Sequence, residues 1–244
     1  MDNNKIIIVD NLVKDYSMGS SLFRALNDIS FPVKKGEFTG LVGPSGSGKT
    51  TLLNILGALD NPTQGDAIVL GKSVKSLSHK DAARLRNHSI GFIFQTYNLL
   101  PVYTVFENVE FPLLLLKKGK EEREDAVMKA LSWVGLTNKA SSRPNQLSGG
   151  ESQRVAVARA MVKNPEIVLA DEPTANLDAE NSHNILKMML KLNEELKTTF
   201  IFATHDEKVI SYLHRKIVLN DGKIVNDIIL NKLGEENADY KTCL

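Results

Sequence analysis

Apolar residues recur along this chain in two rhythms, the short runs and alternations of strands and the three-to-four-residue spacing of helices. Ile6-Ile7-Ile8-Val9 and Leu12-Val13 read as an opening strand region, with Tyr16 just beyond it. Residues 25–31 read as a second strand, closed by the turn Lys34-Lys35-Gly36-Glu37. Residues 38–42 form an apolar run of the kind a buried strand needs, and residues 51–56 continue as a helix. Asn61-Pro62-Thr63-Gln64-Gly65 breaks the chain before a short strand at 67–70. A short helix over 81–86 then leads to a strand over 90–94 that ends at Gln95.

From about 96 to 162 the helical rhythm takes over, with helices expected over 107–116, 121–134 and 152–162. Val127, Ala130, Leu131 and Val134 fall on one face of the middle helix; Trp133, beside that stripe, reads as core packing. The charged run 117–125 reads as a solvated loop and helix start. Alternation then resumes: a strand at 167–170, a long helix at 179–196, a strand at 200–203 and a short helix at 207–213. A hairpin of 215–219 and 223–225 turns at Asn220-Asp221-Gly222. The pattern predicts a single α/β domain over 1–244, with a core of 1–95 and 163–230 and a β-rich N-terminal part. A helical subdomain at about 96–162 interrupts that core, and a polar tail follows at 231–244.

Composition narrows the classes little. Of 244 residues 42% are hydrophobic, enough for an ordinary interior, and 30 basic against 29 acidic side chains leave a net charge of +1. That balance gives no electrostatic ground to expect nucleic acid. A single cysteine, Cys243, excludes an intramolecular disulfide and fits a reducing compartment. The longest unbroken apolar run, Phe111-Pro112-Leu113-Leu114-Leu115-Leu116, is far short of the ~20 residues a membrane helix needs. No signal peptide is expected at the start, and the chain is expected to be soluble by itself.

The densest chemistry is Gly43-Pro44-Ser45-Gly46-Ser47-Gly48-Lys49-Thr50, which spells G-x-x-x-x-G-K-T between an expected strand and helix. This is a phosphate-binding loop. The glycines let successive N–H groups converge on phosphate oxygens, and the helix N-terminus adds partial positive charge. Lys49 supplies a point charge for the outer phosphates, and the Thr50 hydroxyl is placed to ligate Mg²⁺. Thr51 is counted with the loop as a nucleotide-binding position.

Two further elements fit a nucleotide site. The strand Ile167-Val168-Leu169-Ala170 ends in Asp171 and Glu172. Asp171 is placed to hold Mg²⁺ directly or through water, and Glu172 to orient or deprotonate an attacking water. His205, just after the next strand, is placed to hydrogen-bond a terminal phosphate. Leu147-Ser148-Gly149-Gly150-Glu151 has two compatible readings. Ser148 and Glu151 spell a capping box for a helix start, and the N–H groups of Gly149 and Gly150 would suit a second anion site. Local sequence alone does not choose between them.

Taken together these residues resemble the ATP-binding cassette (ABC) ATPases over nearly the whole chain. Gly43 to Thr50 is similar to Walker A, Leu147 to Glu151 to the signature, and Asp171 with Glu172 to Walker B and its catalytic acid. The resemblance implies that Tyr16 stacks on adenine and that Gln95 is the lid glutamine, serving both catalysis and the metal. Ala175-Asn176-Leu177-Asp178 matches the D-loop, and His205 the switch histidine. Glu151 stands where the family often has Gln, and Ala175-Asn176 where Ser-Ala is frequent. The implied fold is a RecA-like phosphate-loop core, and the implied cofactors are ATP and Mg²⁺. The implied partners are a second copy, facing it head to tail so that each ATP lies between one Walker A and the other's Ser148, Gly149 and Gly150, and a membrane permease. Leu56-Gly57-Ala58-Leu59-Asp60, residues 90–95, Asn98-Leu99-Leu100-Pro101 and residues 104–109 resemble the lipoprotein-release and macrolide-export branch. That branch implies a permease with an extracytoplasmic domain, export or extraction of lipoprotein, peptide or drug, and a peripheral place on the cytoplasmic face of the inner or plasma membrane. The alternatives are a phosphate-loop kinase, for which Gln95, Ser148 to Glu151 and His205 have no ordered role, and a DNA-associated ATPase of the same type. The latter calls for a coiled-coil insertion or basic stripe that the sequence lacks.

Overall fold

Two sheets share the strands. The computed structural model describes residues 4–19 and 21–230; the expected polar tail and Cys243 lie outside them. An antiparallel sheet has the order β2 (Ser21–Lys34), β1 (Lys5–Met18), β4 (Gln64–Val69), β5 (Lys72–Ser73). The larger sheet runs β10 (Lys223–Ile229), β9 (Arg215–Asn220), β3 (Phe38–Val42), β8 (Thr199–Thr204), β7 (Ile167–Asp171), β6 (Ile90–Ile93). In it β9, β3, β8, β7 and β6 are parallel and β10 alone returns antiparallel. This is the α/β phosphate-loop fold expected from the sequence.

Each central strand divides its side chains between two apolar cores. Phe38, Phe200, Phe202, Val168 and Ala170 face one core, and Leu41, Ile201, Ala203, Ile167 and Leu169 the other. Strands buried on both faces read as unbroken apolar runs, and for that reason they were visible in the sequence. The second core is completed by the antiparallel sheet and by α1 (Lys49–Leu56), which buries Leu52, Leu53, Ile55 and Leu56. On the other face lie α3 (Val105–Leu115), α4 (Lys120–Trp133), α5 (Gly149–Met161) and α6 (Ala179–Leu196); α2 (His79–Ser89) leads into β6. Between β6 and β7 the chain is helical, with α3, α4 and α5 in succession. Trp133 packs against the core beside them, with the Lys129 ammonium 5.7 Å from its ring centre.

Three local differences from the sequence reading have physical causes. The opening strand does not stop at Val13 but runs through Tyr16 to Met18. Within it Asp10-Asn11 forms a bulge: Asn11 has φ 45, and its side chain donates to Asp28 Oδ1 at 2.9 Å. The first helix after β6 starts at Val105, because Thr104 caps it and closes a capping box with Glu107 in its first turn. The last helix, α7, spans only Glu207–Ile210, and the chain then turns through Leu213. Fully buried Asn108 organises the stretch before α3: it accepts from the Leu100 N–H at 2.7 Å and donates to the carbonyls of Leu100, Tyr103 and Thr104.

Candidate nucleotide site

Because β3, β6, β7 and β8 run the same way, the residues after each strand emerge on one edge of the sheet. Ligands bind at such carboxyl ends. Ser45, Gly46 and Gly48 to Thr51 of the loop, with Gln95, Asp171, Glu172 and His205, line one cleft of about 410 Å³ there. The phosphate loop is tightly held. A Cβ on Gly43 would come within 2.1 Å of the Leu219 carbonyl oxygen, and one on Gly48, where φ is +100, within 2.7 Å of the Ala25 carbonyl oxygen. No side chain caps the first turn of α1, so its N–H groups are left for an anion.

Lys49 is 7% exposed, and its Nζ donates to the Gly43 carbonyl at 2.7 Å and the Pro44 carbonyl at 2.8 Å. Burial holds its pKa below the usual lysine range, with the carboxylates of Glu172 and Asp171 pulling the other way. The Thr50 hydroxyl donates to both Asp171 oxygens, at 3.1 and 3.3 Å. Burial pushes the Asp171 pKa up, opposed by the Thr50 hydrogen bond and reinforced by the neighbouring Glu172 charge. A cation at this point would relieve that raised carboxylate.

Glu172 adopts φ 44, a left-handed conformation that residues with side chains avoid. Its N–H donates to the Ala203 carbonyl at 2.9 Å, tying the turn to the end of β8. Its carboxylate accepts from Thr204 Oγ1 at 3.2 Å and lies 2.6 Å from His205 Nδ1. The side chain of Glu172 is 15% exposed and that of His205 61%, so the acid is set inward and the imidazole stands at the mouth. Strain of this sort is kept where the surroundings enforce it, and it clusters at functional sites.

Tyr16 lies next to this cleft with its hydroxyl donating to Asp60 Oδ2 at 2.8 Å and the Lys14 ammonium 4.8 Å from its ring centre. Its cross-strand partner Phe23 lines the cleft itself. No motif marks Phe23; only its register opposite Tyr16 gives it away.

Ser148, Gly149 and Gly150 do not line the cleft. They open α5, where Ser148 Oγ accepts from the Glu151 N–H at 3.2 Å and Glu151 Oε2 from the Ser148 N–H at 2.8 Å. That backbone bond, chiefly, holds the Glu151 carboxyl below the usual range. Gly150 abuts α6: a Cβ there would sit 2.5 Å from Asn181 Oδ1. Residues 175–178 touch the stretch after β6, with Asn176 Nδ2 donating to the Gln95 carbonyl at 2.9 Å.

A second cavity, about 500 Å³, opens between α2, β6, α3 and α5. Its walls are apolar, from Leu59, Phe92, Phe94, Leu100, Phe111 and Leu115, and it is also lined by Arg86, Arg159 and Lys163. Those three donate to backbone carbonyls: Arg86 to Ala58 at 2.5 Å, Arg159 to Asn98 and Tyr97 at 2.5 and 2.6 Å, and Lys163 to Arg86 at 2.6 Å. Burial brings the Lys163 pKa down to about 8. Among the described residues no Asp or Glu lines the cavity. Leu99 packs against the core instead, and Tyr103 is exposed outside the lining.

The fold recurs in known proteins. The sequence pattern of the ABC transporter family matches residues 26–175. The ATP-binding cassette MJ0796, in a dimeric post-hydrolysis state bound to ADP and Pi, is 41% identical, with a TM-score of 0.85 over 92% of this chain and 99% of that one. A second dimeric structure of MJ0796, described as a bacterial ABC transporter cassette, has the same identity and coverage and a TM-score of 0.86. CbiO1 of Clostridium perfringens, part of the ABC transporter complex CbiONQ, is 31% identical, with a TM-score of 0.84 over 92% of this chain and 88% of that one. The match over 26–175 takes in the phosphate loop and both strand-end carboxylates, and His205 lies beyond it. This chain belongs to the ABC transporter family, as one of its ATP-binding and ATP-hydrolysing cassettes.

Proposed function

We propose that two copies of this chain face each other head to tail and power a membrane complex of the lipoprotein-release and macrolide-export branch. The observation that carries this reading is the separation within one chain of Ser148, Gly149 and Gly150 from the cleft that holds Lys49, Asp171 and Glu172. A helix start left without a phosphate in its own chain is supplied with one by a partner's nucleotide. The dimeric state of MJ0796 supports the same arrangement.

In this reading the loop 43–51 cradles the phosphates and Lys49 leaves its two carbonyls for the outer ones. Tyr16 and Phe23 flank the base. Glu172 orients the attacking water, and with His205 Nδ1 engaged by Glu172, Nε2 is the nitrogen left to meet the terminal phosphate. Thr50 and Asp171, with Gln95 in the same cleft, fit a Mg²⁺ ion. Among the described residues no cluster of three or more His, Cys, Asp or Glu would hold a metal alone, so its other ligands would come from phosphate and water. When bound, the ion would neutralise phosphate charge. Closure on ATP and opening after hydrolysis would then do the mechanical work.

Composite sites make a complementation test possible. Lys49→Ala spoils one half of each site and Ser148→Arg the other, so a mixed dimer keeps one intact site. Sedimentation with ATP is expected to give more dimer for the mixture than for either variant alone; monomer in all three samples refutes the arrangement.

Residues 96–162 act in this proposal as a helical subdomain that carries both Ser148 to Gly150 and the docking surface for the permease. Among the described residues no helix is long and apolar enough to cross a membrane, and CbiO1 works as part of a larger transporter complex. A place on the cytoplasmic face, bound to a permease with an extracytoplasmic domain, fits both. The 500 Å³ cavity is the docking groove. Its apolar walls and uncompensated cations suit a permease helix with apolar anchors and one carboxylate on the same face. Leu100→Glu or Leu115→Glu is expected to leave folding and ATP binding intact and to abolish co-purification with the permease, since one large buried contact is worth about 2 kcal/mol or more. Circular dichroism establishes the fold first. Co-purification at the parent level places docking elsewhere. Leu99→Glu is expected to unfold the chain instead, because Leu99 packs inward.

A further inference from the structure

Gln153 lies one turn into α5 and is fully buried. Its Nε2 donates at 2.6 Å to the carbonyl of Pro173, the residue directly after Glu172. Its Oε1 is buried with no hydrogen-bond partner among the described residues. An amide held in an apolar interior with part of its bonding unmet costs stability that an apolar side chain of the same length would not. Packing therefore gives no reason for a glutamine here, whereas its bond to Pro173 does.

The loop it grips is the one that holds the acid. Glu172 is in a left-handed conformation that needs outside support. From the β8 side that support is Thr204 and His205 on the Glu172 carboxylate and Thr174 Oγ1 donating to Asp206 Oδ2 at 3.3 Å. From the α5 side it is Gln153. The same helix opens with Ser148, and Arg159 in its last turn holds the Tyr97 and Asn98 carbonyls just after Gln95.

We propose that Gln153 is a positioning residue for Glu172, transmitting the place of α5 to the acid through the Pro173 carbonyl. The amide touches no nucleotide and acts only on the geometry of the turn. This rests on Glu172 being the hydrolytic acid. It adds that the helix whose start would meet the partner's nucleotide also sets the acid of its own site, which gives the two sites of a dimer a physical link.

The test is a double-mutant comparison of MgATP turnover on the full chain. Gln153→Met keeps the length and removes the donor. It is expected to lower kcat about 10-fold, within the effect of a small misplacement of a reacting group, with KM and ATP affinity changed by less than about 2-fold. Added to Glu172→Gln, it is expected to change the residual turnover no further, because the carboxylate it acts through is gone. Gln153→Asn, polar but a methylene too short to reach Pro173, gives the same comparison and covers poor folding of the first variant. A kcat unchanged by both variants overturns the proposal. So does an equal loss on the Glu172→Gln background, or loss of fold in both variants, which would make the amide a packing element. Near-parent turnover of Glu172→Gln would instead remove the assignment of the acid itself, whatever Gln153 does.

Discussion

Glu172→Gln is expected to bind ATP with Mg²⁺ and to hydrolyse it at least about 100-fold more slowly than the parent, the effect of losing a general base. The geometry supports that separation of binding from chemistry. Glu172 lies at the inner end of the cleft, between Thr204 and His205, and the contacts assigned to phosphate belong to other residues. An amide of the same size retains an oxygen for the Thr204 hydroxyl and loses the charge that draws a proton from water. Because ATP stays bound, the variant is also expected to accumulate as a dimer, which sedimentation with and without ATP would read. Turnover near the parent rate would mean that another group activates the water.

The parts of this site that were legible in the sequence are those for which chemistry dictates residue identity at fixed spacing. A loop that presents N–H groups to phosphate needs its glycines, and a strand buried on both faces needs an apolar run before its terminal carboxylates, so Gly43 to Thr50 and Asp171-Glu172 stood out. The parallel order of the large sheet then brings them to one edge, as expected of residues that follow parallel strands. What sequence left open depends on long-range register. Phe23 enters the cleft only because β2 pairs with β1 opposite Tyr16. Leu99 and Leu100 are adjacent and equally apolar, yet one packs inward and the other lines the 500 Å³ cavity, because Asn108 fixes the backbone between them and α3. Gln153 was invisible for a related reason: nothing in its neighbours tells that the amide ends against Pro173.

Of the two readings of Ser148 to Glu151, the helix start is the one the structure shows. The capping box is present, and it occupies the Ser148 and Glu151 side chains with each other's backbone. The remaining N–H groups of the first turn of α5 stay available, which is the part an anion would use. Glu151, where the family often has Gln, is spoken for by Ser148 and by Lys139 at 3.5 Å. In the composite-site proposal its charge is therefore turned toward its own helix, and the glycine backbone carries the contact with the partner's phosphate.

Lys49→Ala is expected to weaken ATP binding about 100-fold, the size of losing a buried charge-assisted hydrogen bond. This ammonium is buried and rests on the Gly43 and Pro44 carbonyls. A phosphate oxygen carries more negative charge than either carbonyl, so the ammonium bonds it more strongly. Burial holds its pKa below the usual lysine range, and the Glu172 and Asp171 carboxylates pull the other way. The loss should grade with the phosphate chain: large for ATP, smaller for ADP and near zero for AMP, whose single phosphate does not reach the outer positions that Lys49 serves. Titration calorimetry of the three nucleotides on parent and variant would measure it, with the melting temperature as a control for the two carbonyls left bare. An equal loss for all three would mean that Lys49 holds the loop in shape and does not bind the outer phosphates.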